Sequence, residues 1–384
     1  MRYASRVRTL IAVVLSLVPI MGHARCPSSV TGAFLEPGRY GVGVRTLPLV
    51  DQSRPTPAHG NVAEQPSRVL TTEVWYPTTG GPGAPVRDAD AAKGRFPLIL
   101  GSHGYGDIRT GEAYVAEALA SRGYVVAAPD FPLTNLMSAP RDPVDVVNQP
   151  GDVRFVADQV LSLAKSKGSW LAGRIDRRRI GASGLSYGGL TTLLVTFHPT
   201  MRDRRIRAAA ALAPAACALG PSFYRAARPP LLLMQGTEDL LVPLPSNAGR
   251  AYADARSPRE LVALANASHT AFSGLISAPS TVNYDHAIGC AFVETEFAAN
   301  FARLQTIADP ANGIDPSGCA LPCQGPVPSD VPMQAARQHD LTQATVVAFF
   351  ESTFRKSHDG RCLLRSALAT ENADVSVQLH RRGK

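Results

Sequence analysis

Short apolar runs alternate with segments of helical spacing through the middle of the chain. Phe96–Gly101, Tyr124–Ala128, Arg179–Ser183, Ile206–Leu212, Leu231–Gln235 and Leu261–Ala265 are largely unbroken apolar stretches of strand length, the pattern of strands covered on both faces. Between them, Glu112–Ser121, Gly151–Ala164 and Tyr187–Phe197 read as helices. In the second, Val153, Val156, Ala157, Val160, Leu161 and Ala164 recur at helical spacing and share one face. Upstream, Tyr40–Val50 and Arg68–Tyr76 are rich in Val, Leu, Thr and aromatics, with a Pro/Gly/Asn loop between them, and are expected to pair antiparallel. Downstream, Asp340 is placed to cap a last amphipathic helix, Leu341–Phe354.

The count is about eight strands. Strands alternating with helices predict an α/β fold with a mostly parallel sheet and helices on both faces. The pattern fails between Thr270 and Arg337, where Pro, Asn and Gly accumulate around Cys290, Cys319 and Cys323, with one helical piece near Phe292–Ile307. This stretch, at about residues 270–337, is expected to be an insertion over one end of the sheet, before the last helix. No internal repeat is visible.

The amino terminus changes the picture. Arg2, Arg6 and Arg8 precede an apolar run, Leu10–Ile20, and Gly22-His23-Ala24 offers small residues at −3 and −1. Residues 1–24 are therefore expected to be a secretory signal, leaving 25–384 as a single domain. The apolar run is about half the length of a membrane span, so no stable span is expected after cleavage, and the protein is expected in the periplasm or outside the cell. All six cysteines lie beyond that cleavage point, and an even count in an exported chain predicts disulfides. Four of them fall between Cys290 and Cys362, so crosslinks are expected to tie down that loop-rich region. Cys319 and Cys323 have no second Cys/His pair at zinc spacing, so no metal is expected.

With 384 residues, 45% of them hydrophobic and 18% charged, the chain has ample material for a core. Three arginines in the expected signal account for part of the formal charge of +8. The other basic residues form only short clusters, Arg177–Arg179, Arg202–Arg207 and Arg381–Lys384. A basic stripe with stacking aromatics is missing from the sequence, so nucleic acid is not an expected partner.

The candidate chemistry centres on Gly184-Leu-Ser-Tyr-Gly188, followed by Gly189. It falls between a strand and a helix, where a strained turn flanked by glycines can expose a serine hydroxyl as a nucleophile. Such a serine needs a base and an orienting acid, in the chain order Ser, acid, His. Leu231–Gln235 runs into Gly236-Thr-Glu-Asp239, making Asp239 the candidate acid, with Glu238 as its rival. The next strand leads to His269. His59, His198, His286, His339, His358 and His380 lie in loops, tails or the expected insertion, and His23 in the signal. Strand Phe96–Gly101 ends in Ser102-His-Gly-Tyr-Gly106, a small-residue turn suited to presenting main-chain amides. The N–H groups of Tyr105 and Tyr187 are the expected oxyanion donors, with His103 a structural member of the turn.

These residues together resemble the α/β-hydrolase superfamily, and most closely its predicted dienelactone hydrolases and platelet-activating-factor acetylhydrolase-like serine esterases. The likeness is carried by Gly41-Val-Gly-Val-Arg-Thr-Leu47, Glu73-Val-Trp-Tyr-Pro77, Leu98-Ile-Leu-Gly-Ser-His-Gly104, Tyr124-Val-Val-Ala-Ala-Pro-Asp130, Gly173-Arg-Ile-Asp176, the serine turn and Gly236-Thr-Glu-Asp239. Dienelactone hydrolases proper use a cysteine where this chain has Ser186, which points away from dienelactone as substrate. The resemblance implies an α/β-hydrolase fold and a serine esterase, which with the expected signal would be an exported enzyme acting on small-molecule or lipid esters without cofactor. An amidase or peptidase using the same triad, and a non-catalytic hydrolase-like binding protein, are the competing expectations.

Overall fold

A computed structural model describes residues 26–380 apart from 28, 297 and 329, so the expected signal at 1–24 lies outside the described residues. Ten strands form one sheet in the order β10-β9-β8-β7-β6-β4-β5-β2-β1-β3. β1 (Gly41–Asp51) pairs antiparallel with β2 (Arg68–Thr78) along its whole length, and a two-residue β3 (Val86–Arg87) lies parallel on the outer side of β1. From β4 (Phe96–Ser102) and β5 (Val125–Pro129) through β6 (Ile175–Leu185), β7 (Ile206–Leu212), β8 (Leu231–Gly236) and β9 (Arg259–Leu264), neighbouring strands run parallel. β2 pairs antiparallel with β5, and β10 (Val375–His380) runs antiparallel on β9.

The described helices are α1 (Val30–Leu35), α2 (Ala113–Ser121), α3 (Gln149–Lys165), α4 (Tyr187–Phe197), α5 (Ala248–Asp254), α6 (Cys290–Glu296), α7 (Ala298–Phe301), α8 (Ala335–Phe354), α9 (His358–Cys362) and α10 (Leu368–Glu371). Alternation along the strands sorts the core into two layers. Ala208, Ala210, Leu232 and Met234 pack with α2 and α8, whereas Ala209, Ala211, Leu231 and Leu233 pack with α4 and α5. α3 covers the same side further along, against Leu98, Leu100 and Val125. Burial on both faces is why these strands read as unbroken apolar runs.

All eight expected strands are present, with the first two antiparallel. β3 and β10 were not expected: β3 is too short to carry a pattern, and β10 is a half-exposed edge strand in which every second residue is apolar. α5, short and containing Gly249, was also not anticipated. The last long helix starts at Ala335, so Asp340 lies within it and caps nothing; the extended Gln334 precedes it. Nor is it the final element, because α9, α10 and β10 follow it.

The cysteines pair as Cys26–Cys362, Cys217–Cys319 and Cys290–Cys323. Two of these bonds grip the stretch expected to be inserted. Cys362, however, reaches back to Cys26, so only Cys290–Cys323 lies wholly inside the anticipated region. No helix among the described residues is long and apolar enough to cross a membrane.

A buried ion cluster fastens β2 to α3. Arg68, 1% exposed, makes paired hydrogen bonds to both Asp145 and Asp152, and Arg54 reaches Asp51 and Asp152. Removing the central cation strands two buried carboxylates, so Arg68→Ala is expected to cost about 3–5 kcal/mol, measurable as a lowered denaturation midpoint.

Candidate active site

β6 passes directly into α4 through Ser186, which sits at φ +58°, ψ −114°. Few non-glycine residues adopt such a backbone, and they do so only where the surroundings fix it. Here the fixing is main chain on main chain. The Ser186 N–H donates to Leu212 O at 2.8 Å, while Ser186 O accepts from Leu190 and Ala215. A Cβ on Gly188 would lie 1.8 Å from Ser102 O, and one on Gly184 would lie 2.4 Å from Gly188 O. Only glycine lets β4 and the turn approach this closely.

The turn after β4 runs beside the serine, with Gly104 facing Ser186 Cβ. His103 is 1% exposed and engaged at both ring nitrogens: Nδ1 lies 2.7 Å from Gly104 O, and Nε2 accepts from the Phe131 N–H at 2.9 Å. That pattern fixes the Nδ1–H tautomer. Burial, opposed by the Gly104 carbonyl, Asp107 and Asp130, keeps its pKa below the ordinary value. The Tyr105 and Tyr187 rings lie 5.5 Å apart, and both residues line the cavity described below.

Asp239 follows β8 and is 3% exposed. Its Oδ1 accepts from the Leu241 and Val242 amides, and its Oδ2 from Gln235 Nε2 at 3.1 Å. The same Oδ2 lies 2.9 Å from His269 Nδ1. Glu238 takes part through its main chain: its N–H donates to Ala267 O and its carbonyl accepts from Asn283 Nδ2. Asp239 is therefore the carboxylate that meets the histidine. Burial lowers the His269 pKa, but the charge and hydrogen bond of Asp239, with the charge of Asp285, more than offset it, and the net shift is upward from 6.5.

Asp285 was not anticipated. It is fully buried and accepts from the main-chain N–H groups of Leu240, His269 and Thr270. Burial and the charge of Asp239, opposed by His269 and Thr270, leave its pKa above the ordinary carboxyl value. Asn283, whose Oδ1 accepts from the Asp285 N–H, makes Asn-Tyr-Asp a faint local turn signal. Its value to the site depends on packing.

Ser186 and His269 open onto one cavity of about 430 Å³. Leu185, Leu190 and Leu241 form its floor and sides, and Ile276, Ile288, Phe292, Leu304 and Ile307 come from the stretch after β9. The Cys217–Cys319 bond is part of the wall. Arg141 pairs with Glu296 at 2.7 Å, and Arg303 with Asp142 at 2.8 Å, which ties the helical part of this stretch to the loop between β5 and α3.

The model of a family described as PETase, PET hydrolase-like, matches residues 48–284, more than half of the chain. The chain belongs to that family. It accordingly has an α/β-hydrolase fold, as the motifs led one to expect. The family match contains Ser186, Asp239 and His269 and stops just short of Asp285. A putative carboxymethylenebutenolidase of Methylorubrum extorquens is 26% identical over 150 residues, which are 38% of this chain and 50% of that protein. The match thus spans about half the length of this curated relative. A ferulic acid esterase from Streptomyces cinnamoneus superposes with a TM-score of 0.59 at 23% identity, covering 90% of this chain and 98% of the other, a likeness of fold.

Gly188→Ala is expected to push the turn off Ser102 and lower ester turnover about a hundredfold. Gly80→Ala, where an added Cβ meets nothing within 4 Å, is expected to leave turnover unchanged. A p-nitrophenyl ester assay on the two folded variants checks this.

Proposed function

We propose that this protein is an exported serine esterase in which Ser186, His269 and Asp239 form the catalytic triad. The observation that carries the reading is the 2.9 Å contact between His269 Nδ1 and Asp239, on the wall of the same cavity that receives Ser186 at its strained turn. With Nδ1–H held by Asp239, Nε2 is the nitrogen left to take a proton.

Ser186 Oγ attacks the ester carbonyl carbon and passes its proton to His269 Nε2. The Tyr105 and Tyr187 amides receive the developing oxyanion, each worth about 3 kcal/mol of barrier. Collapse of the tetrahedral species breaks the carbon–oxygen bond to the alcohol, which leaves with the proton from Nε2. Water then attacks the acyl-enzyme by the same route and releases the acid. The chain's own groups suffice for these steps.

The cavity walls favour an ester with an apolar acyl or alkyl group, bound as a small molecule or a lipid. The PET hydrolase-like family, and the likeness to a putative carboxymethylenebutenolidase and a ferulic acid esterase, agree with ester chemistry. Export is supported by the leader-like residues 1–24 and by three disulfides. One hydrolase domain, with 270–337 inserted over the catalytic edge, is the organisation this reading adopts.

Ser186→Ala is expected to lower kcat by about 10⁴- to 10⁶-fold and to abolish labelling by a fluorophosphonate. A graded p-nitrophenyl ester series on wild type and variant tests this, and matched anilides test the amidase alternative; preferential anilide cleavage would overturn the esterase assignment.

His269 must be neutral to accept a proton, and its pKa is raised. So kcat/KM is expected to climb with pH, with its half-maximal point above pH 6.5, and to fall off on the acid side. Asp239→Asn removes the main force raising that pKa and is expected to move the limb to lower pH while lowering kcat about 10⁴-fold; the pH–rate profiles decide.

Intact mass of the secreted protein is expected to begin at Arg25 with all six cysteines oxidised. A chain retaining residues 1–24 would contradict export with cleavage.

A further inference from the structure

We propose that Asp285 is a positioning residue for the His269–Asp239 pair, its carboxylate joining the main chain of the loop that bears the acid to that of the loop that bears the base. The inference rests on the triad assignment above.

Asp239 has acceptor contacts on both oxygens: two amides of its own loop, Gln235, and His269. It is therefore fixed with its loop. The relation between that loop and the one following β9 is a separate matter, and Asp285 touches both. Its Oδ2 accepts from Leu240 N–H and from His269 N–H, each at 2.9 Å, and its Oδ1 from Thr270 N–H at 2.7 Å. Three N–H donors converging on one carboxyl suit the anion, which only accepts. An apolar residue would leave all three amides without this acceptor, those of Leu240 and His269 in buried surroundings.

Asp285 is itself held on both sides. Asn283 Oδ1 accepts from its N–H, and Asn283 Nδ2 donates to Glu238 O. Just beyond it, Cys290 is bonded to Cys323, whose N–H donates to Leu240 O at 2.8 Å. Leu240 is thus gripped through its N–H by Asp285 and through its carbonyl by Cys323, the two arms being joined by the disulfide. The charged groups facing His269 are Asp239 from the loop after β8 and Asp285; those facing Asp285 are Asp239 and His269. Asp285 therefore acts on the imidazole twice, by placing its backbone and by favouring its protonated form.

The test compares wild type, Asp285→Asn, Asp285→Ala and Asn283→Ala with p-nitrophenyl esters across pH, with melting curves and with fluorophosphonate titration of active sites. Asp285→Ala is expected to lower kcat per titrated site by about ten- to a hundredfold with KM little changed. The acid limb of kcat/KM is expected to move to lower pH, because an anion that favours the imidazolium is gone. Asp285→Asn keeps one acceptor oxygen, so it is expected to lose less kcat but to move the limb equally. Asn283→Ala keeps the charge, so a smaller fall in kcat with an unmoved limb is expected.

Folded Asp285 variants whose kcat per site and acid limb match wild type would overturn the proposal. So would a lowered melting temperature with the limb unmoved, which marks a purely structural staple. If neither Asp285 variant folds, Asn283→Ala decides, and unchanged kcat overturns. Failure of wild type to be labelled would overturn the triad reading itself, and this inference with it. A labelled wild type with an inert Ser186→Ala and indifferent Asp285 variants would sink this inference alone.

Discussion

Ser102 and Gly184 are register partners on adjacent parallel strands, and the carbonyl of Ser102 lies where a side chain on Gly188 would have to go. That main-chain apposition fixes the rest of the candidate catalytic edge. It forces β6 to end in a sharp turn, holds Ser186 in a conformation an L-residue otherwise avoids, and sends the turn after β4 alongside it. His103 reinforces the arrangement by tying its own turn to the start of the segment after β5. The loops bearing Asp239 and His269 leave the same edge from β8 and β9, across β7 from the turn. Parallel strands deliver all their carboxyl ends to one side, so groups far apart in sequence meet there without long connections.

Much of this was legible in the sequence, because buried parallel strands and a glycine-flanked serine leave strong local patterns. α4 was read to the residue; Asp239 was preferred with Glu238 as its rival, both lying past the strand end, and the contact with His269 is what distinguishes them. What was not legible depends on packing. β10 is an edge strand with one wet face, where alternation over six residues is weak. The start of α8 was misplaced because Asp340 looks like a cap in isolation, while Ala335-Ala-Arg-Gln upstream of it continues the helix readily. Asp285 sits in a stretch whose composition signals only a loop; its burial against two other loops has no local signature. The cysteine count announced disulfides, and only the three-dimensional arrangement assigned partners.

The stretch after β9 combines two jobs that are separable in principle. Phe292, Leu304 and Ile307 contribute apolar wall to the cavity, while Asp285 and Cys323 hold the main chain of the acid loop. The family match ends at residue 284, so these five residues lie in the part of the chain beyond it. A change in cavity shape made in this stretch is therefore mechanically linked to the proposed proton-transfer pair, through the Cys290–Cys323 bond and Leu240.

The bond between Cys26 and Cys362 has a different reach. It closes a covalent loop around nine of the sheet's ten strands, with only β10 outside. One cut in any surface connection between those cysteines leaves both fragments tethered, because each still holds one partner of the bridge. The unfolded chain is likewise denied its most extended forms, which favours the folded state from the other side of the equilibrium. Nicking of a surface connection and loss of integrity thereby become separate events.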